Sequence, residues 1–295
     1  MKEWVRSLSS YRFNRGQYSQ SYQDELLDVI FKHIHPVNSP PFCVEFGFDS
    51  MSLTHGNGAN TSRLILHHGW SSLLLDGGTC NPEINLHSHF LTSANICSIF
   101  QQYNVPSEPE YISIDVDSAD LWLFRAVLSK YRTMVFSVEY NCHFPLDAAV
   151  TFPDNPDEHW EGDRGYGASL KALTMVAEEH GYSLLWVVPT VDAFFIRNDL
   201  IDDGTGNIVF PFRRWHTVTN LQIHPPLKNP QRANLFMNYE GARLADDASI
   251  GDFPKRPAAY EIATKYLVGN GDFETKINKL RRLPMKVVRR LKRFL

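Results

Sequence analysis

The stretch SLLWVVPTVDAFFIR, residues 183–197, decides how this chain folds. Two apolar runs, 183–188 and 192–197, stand either side of a three-residue link, PTV. Parallel neighbours need a crossover of about a dozen residues or more, so a link this short makes the pair antiparallel. Upstream, apolar runs alternate with segments of helical period, the pattern of a parallel α/β sheet. The architecture expected is a mostly parallel sheet closed by an antiparallel C-terminal hairpin. A simple dinucleotide-binding fold would repeat strand–helix–strand to its end, and the chain has no GxGxxG.

Working back from that hairpin, FCVEF (42–46), SSLLLD (71–76), a short piece of INLHSHFL, YISIDV (111–116) and TMVFSVEY (133–140) read as strands. Helices are expected in a lead-in over about 18–36, from Asn60 to the closing Gly69, from Thr92 or Ser93, over ADLWLFRAVLSKY, and over GASLKALTMVAEEHGY. The alternation stops near Asp203. That places a principal domain at 1–203, an appendage at 204–274 and a basic tail at 275–295.

Ligands of open α/β sheets bind beyond the carboxyl ends of the strands. The first strand ends with Glu45, Gly47 and Asp49, where an acid suits a cation and a glycine allows close backbone approach. The second ends in Asp76, placed either to accept hydrogen bonds from ribose hydroxyls or to shape the turn before Gly77 and Gly78. Asp115 and Asp117 share one face of the fourth strand, with Asp120 in the first turn of the next helix. These three acids could supply a general base, oxygen ligands for a divalent cation, or a helix cap. Glu139 and Asn141 share a face at the fifth strand end, and His143 stands in the loop beyond. The polar stretch PDNPDEHWEGDRGYG (153–167) is read as a substrate lid or a solvated excursion.

Composition narrows the function classes. At 43% hydrophobic residues over 295, the chain can bury a large core, and no apolar run reaches the roughly 20 residues of a membrane span. Four scattered cysteines without a CxxC pair point to a reducing, cytoplasmic setting. Nine of the 29 basic residues lie in 275–295, which holds no acid, so the rest carries 20 basic against 33 acidic residues. A body this acidic is a poor nucleic-acid binder. The tail has apolar residues at helical spacing between its basic ones, interrupted by Pro284. It suits a membrane surface, an acidic partner or the acidic body itself, and peripheral membrane attachment is expected only through it.

In order along the chain, YSQSYQDELLDVIF, VEFG, NTSRLILHHGWSSLLLD, LTSANICSIFQQYNVP, YISIDVDSADLWLFRAV, VEYN, WEGDRGYGASLKAL and DAFFIRNDL resemble the FkbM-like S-adenosylmethionine-dependent methyltransferases, over about residues 18–200. The resemblance implies a Rossmann-like class I methyltransferase fold. It also implies methyl transfer to a hydroxyl of a sugar or small metabolite. By position it sets Glu45 and Gly47 along the methionine portion of the cofactor, Asn60 and Thr61 at the first helix, and Asp76 at the ribose. Asp115 falls near the transferring methyl, with Asp117, Glu139 and Asn141 completing the candidate catalytic set. Two stretches depart from the family's pattern: FDSMSLTHGNGA after Gly47 and GGTCNPEIN after Asp76. They keep open a second reading, a catalytically silent protein that retains the fold as a binding or scaffold module.

Overall fold

Val44, Leu73, Leu74, Ile112, Phe136 and Phe194 are shut off from solvent. Strands so apolar along their length require cover on both faces, and the chain supplies helices to provide it. The computed structural model describes residues 1–54, 59–206, 217–239 and 259–268. Its strands are β1 (Phe42–Phe46), β2 (Ser71–Asp76), β3 (Leu86–Ser88), β4 (Tyr111–Ile114), β5 (Val135–Glu139), β6 (Val150–Thr151), β7 (Tyr182–Val187), β8 (Asp192–Arg197) and β9 (Met237–Asn238). Seven form one sheet in the order β3-β2-β1-β4-β5-β8-β7, while β6 and β9 pair separately and antiparallel. β1, β2, β3, β4 and β5 run parallel to one another. β8 runs antiparallel between β5 and β7, as the short link after β7 requires. The fold is therefore α/β with a mostly parallel sheet, compatible with a Rossmann-like arrangement.

The helices are α1 (Glu3–Ser7), α2 (Gln23–His33), α3 (Ser62–His68), α4 (Ile96–Gln102), α5 (Asp120–Leu128), α6 (Leu170–Glu179), α7 (Asn198–Ile201) and α8 (Ala259–Ala263). α2 is the expected lead-in and buries Leu26, Leu27 and Ile30. α1 lies outside that expectation and adds Val5 to the core. α3 ends at Gly69, whose φ of 68° is the left-handed conformation a helix needs to stop. α4 is regular from Ile96, and one turn ahead of it Thr92 and Asn95 exchange hydrogen bonds (2.8 and 3.2 Å) in the reciprocal pattern of a helix cap, at the position expected for one. β4 stops at Ile114, short of Val116, whose N–H donates to Asp120 Oδ1 at 2.8 Å rather than to a neighbouring strand.

Described residues of the 204–274 appendage pack against the principal domain. Leu227, Ala233, Phe236, Ala259, Ala263 and Leu267 pack with Phe144, Ala148, Val150 and Phe152 in a second, smaller core, and β9 pairs with β6. The basic tail, 275–295, lies outside the described residues. No helix among those described is long and apolar enough to cross a membrane.

Gly47 fixes the meeting of β1 and β4. Its φ is +76°, and a Cβ there would lie 1.9 Å from the backbone oxygen of Asp115. The close approach foreseen at this glycine is thus to the neighbouring strand end. Gly47→Ala is expected to destabilise the protein by more than about 2 kcal/mol, through strain and displacement of Asp115. Gly69→Ala, with open space around it, should cost about 1 kcal/mol. Urea unfolding midpoints of the two variants test the contrast.

Candidate functional site

β1 and β4 are neighbours in the sheet, yet the chain leaves β1 toward β2 and β3 and returns through β4 toward β5. Loops leaving adjacent strands in opposite directions open a crevice at their carboxyl ends. A cavity of about 610 Å³ lies there, within the usual size of ligand sites. Glu45, Gly47, Asp76, Asp115, Asp117 and Glu139 all line it. Six acids reach this cavity, Asp49 included, and no lysine or arginine among the described residues does.

The acids differ in how they are held. Glu45 accepts from the Asn60 N–H (2.8 Å), the Thr61 N–H (3.0 Å) and the Thr61 hydroxyl (2.5 Å). Asn60 and Thr61 are thus positioning residues behind Glu45 and do not line the cavity. Asn60 Nδ2 also donates to Ser113 Oγ (2.9 Å) and Asp192 Oδ2 (3.2 Å). Burial pushes the Glu45 carboxyl up to about 7 against the pull of its donors. Asp76 Oδ1 accepts from the N–H groups of Gly78 (2.8 Å) and Thr79 (2.5 Å), so the turn expected of it exists. The same side chain also faces the cavity, and its Oδ2 has no hydrogen-bond partner among the described residues.

Asp115, Asp117 and Glu139 are held by nothing. Each offers an oxygen within 4.8 Å of the other two, and none accepts a hydrogen bond from a described residue. Glu139 Oε2 is wholly enclosed and unpartnered. Burial raises both Asp115 and Glu139 well above the ordinary carboxyl range, and the neighbouring acids add to the effect. Asp117 is raised as well, by burial and by Asp49.

Two expected members do not belong. Asp120 is fully buried and lies outside the cavity lining, because its Oδ1 is engaged by the Val116 N–H. The acid that joins Asp115 and Asp117 is Glu139. Asn141 is also buried away from the cavity, and its side chain is spent on loop structure. Its Nδ2 donates to the carbonyls of Arg164 (2.9 Å) and Tyr166 (2.8 Å), while Oδ1 accepts from the His143 N–H (3.1 Å). His143 is equally structural. Its Nε2 accepts from the His224 N–H (3.2 Å), so the ring proton sits on Nδ1 and meets Asn141 Oδ1 (2.8 Å). Burial, His224 and Arg164 push its pKa down to about 2, leaving the imidazole neutral.

Sequence reasoning missed three contributors. Asp192 opens β8, and because that strand is antiparallel, its first residue pairs with Glu139 at the end of β5. The antiparallel hairpin was itself the available signal. Asp192 Oδ2 accepts from Gln23 Nε2 (3.0 Å), Oδ1 is buried without a partner, and burial pushes its pKa up to about 6. Trp160 and His224 form a far wall of the cavity, with ring centroids 5.3 Å apart. They belong to the 153–167 stretch and to the supposed appendage, and no local pattern links them. That polar stretch buries residues 163–167 because its charges are met: Asp163 accepts from the N–H groups of Gly165 and Lys228, and Arg164 donates to the His224 carbonyl.

No family model matches the chain, and no curated protein matches it in sequence.

Glu45 has a folded-state pKa above its ordinary 4.5, so the folded protein binds more protons than the unfolded chain between about pH 4.5 and 7. Its contribution to stability therefore falls as pH rises through that window, by up to about 3 kcal/mol. Glu45→Gln should remove that slope, which urea titrations at pH 5 and pH 8 measure against the wild type. His143→Ala should cost about 1–3 kcal/mol by leaving the His224 N–H without its partner and Asn141 Oδ1 with only the backbone N–H of residue 143. Thermal melts at pH 7.5 check this.

Proposed function

We propose that this protein is an S-adenosylmethionine-dependent methyltransferase acting on a hydroxyl of a small or sugar-like molecule. The observation carrying the proposal is the cavity at the β1/β4 switch point, lined by acids from β1, β2, β4 and β5 and by no lysine or arginine among the described residues. With no lysine or arginine among the described lining residues, and only His89 and His224 as titratable bases, such a site repels phosphates and suits a ligand with cationic centres, as a sulfonium with an amino group is. A strand running antiparallel between the fifth and last strands of a parallel sheet is also the layout of the class I methyltransferase fold.

The residues fit such a cofactor. Glu45, clamped by Asn60 and Thr61, fixes the entry to α3 beside the cavity. Asp76 keeps the turn with Oδ1 and offers Oδ2 to a ribose hydroxyl. When bound, the cofactor supplies an activated methyl group whose leaving group is a neutral thioether. The chain's task is then to orient the acceptor oxygen and receive its proton. A carboxylate of the Asp115, Asp117 and Glu139 group would take up the hydroxyl proton as the methyl group is transferred to the oxygen. Trp160 and His224 stand across the cavity where they can confine the acceptor.

The second reading, a catalytically silent module of the same fold, is favoured by the occupied state of both Glu45 oxygens. Calorimetric titration with S-adenosylhomocysteine separates the two. Micromolar binding is expected, and no binding at high micromolar concentration would favour the silent module. Asp76→Asn keeps the Oδ1 turn contacts while removing one acceptor oxygen. It should weaken that binding at least about tenfold with little change in melting temperature.

A further inference from the structure

We propose that Asp115, Asp117 and Glu139 together bind one hard divalent cation in the cavity. Three separate features lead there. The first is geometry: the three carboxylates offer oxygens within 4.8 Å of one another. Calcium–oxygen distances are about 2.3–2.6 Å and magnesium–oxygen distances about 2.0–2.1 Å, so a small inward turn of the side chains brings all three oxygens onto a single ion.

The second is the contrast with the acids beside them. Glu45, Asp120 and Asp192 are each held by N–H donors from Asn60, Thr61, Val116 or Gln23. Asp115, Asp117 and Glu139 receive no such donor among the described residues. Asp120 and Asp192 each leave one oxygen without a donor as well, whereas Asp115, Asp117 and Glu139 receive a donor on neither oxygen, Asp117 being the solvent-exposed member of the three.

The third is enclosure. Glu139 Oε2 is completely shut off from solvent, has no partner, and belongs to a carboxylate aimed at the other two. The fully buried Asp192, paired with Glu139 across the sheet, likewise leaves Oδ1 without a partner. An enclosed carboxylate oxygen without a donor costs free energy comparable to a lost hydrogen bond to a charge, and a cation removes that cost. The charge does not come from the protein, since no lysine or arginine lines the cavity among the described residues. An all-carboxylate set selects a hard ion such as magnesium, manganese or calcium over zinc or copper.

Only the use of the ion rests on the methyl-transfer reading. Three protein carboxylates leave coordination positions open toward the cavity, where an acceptor oxygen can enter. Bound there, the ion would lower the pKa of that hydroxyl and ease the release of its proton.

The test uses the full-length protein stripped with a chelator, and manganese as the probe, followed by electron paramagnetic resonance and by melting temperature. One manganese ion per chain is expected, with a rise in melting temperature on binding. Asp117→Asn and Glu139→Gln should each weaken binding at least about tenfold. Glu139→Gln should also raise the melting temperature of the ion-free protein, by relieving repulsion, while abolishing the rise that manganese gives the wild type. A residue with a merely structural role would lower the former. Failure of the wild type to bind manganese at millimolar concentration, or unchanged affinity in both variants, overturns the site. Titration of the same samples with S-adenosylhomocysteine keeps the two ideas apart: Asp76→Asn should lose that ligand and keep manganese, and Glu139→Gln the reverse.

Discussion

Like charges gathered in a small volume are the constraint around which this structure is arranged. Glu45, Asp115, Asp117, Asp120, Glu139 and Asp192 converge on the same edge of the sheet, where burial and mutual repulsion raise their affinity for protons. The fold tolerates the crowding because backbone and side-chain donors brace part of the set. Asn60 is the central brace: its backbone N–H serves Glu45 and its amide serves Ser113 and Asp192. One residue at the head of α3 therefore ties β1, β4 and β8 together.

Much of the scaffold was legible because its signals are local. The runs 42–46, 71–76 and 192–197 have the bounds of the observed strands, and the short link after β7 determined the sense of the closing pair. Gly69 ended its helix for the expected reason. Glu45, Gly47, Asp76, Asp115, Asp117 and Glu139 were found by asking what stands at each strand end, a question that needs only strand boundaries. They share one cavity.

What was not legible depends on distant partners. Asn141 and His143 follow a strand end and carry suitable chemistry, yet their atoms are taken by carbonyls at 164 and 166 and by the N–H of His224. Nothing near residue 141 announces that. Asp192 was hidden because its place on the rim follows from strand order, which puts the antiparallel strand beside β5. Asp163 and Arg164 looked too polar to pack, since a charge reads as exposed until its donors and acceptors are known. The segment after 203 lost the α/β alternation and was set apart, although it completes a core begun at 144–152.

That smaller core has a bearing on how the cavity is reached. The larger one spans the sheet and its helices, whereas the smaller rests on a few aromatic and aliphatic side chains around Phe152 and Phe236. Regions with fewer buried apolar contacts separate from a protein first. His224 is joined to the main body through a neutral imidazole and an arginine rather than through the sheet's hydrogen-bond ladder. The side of the cavity lined by Trp160 and His224 is thus held by contacts of a different kind from those that hold the acids on the sheet.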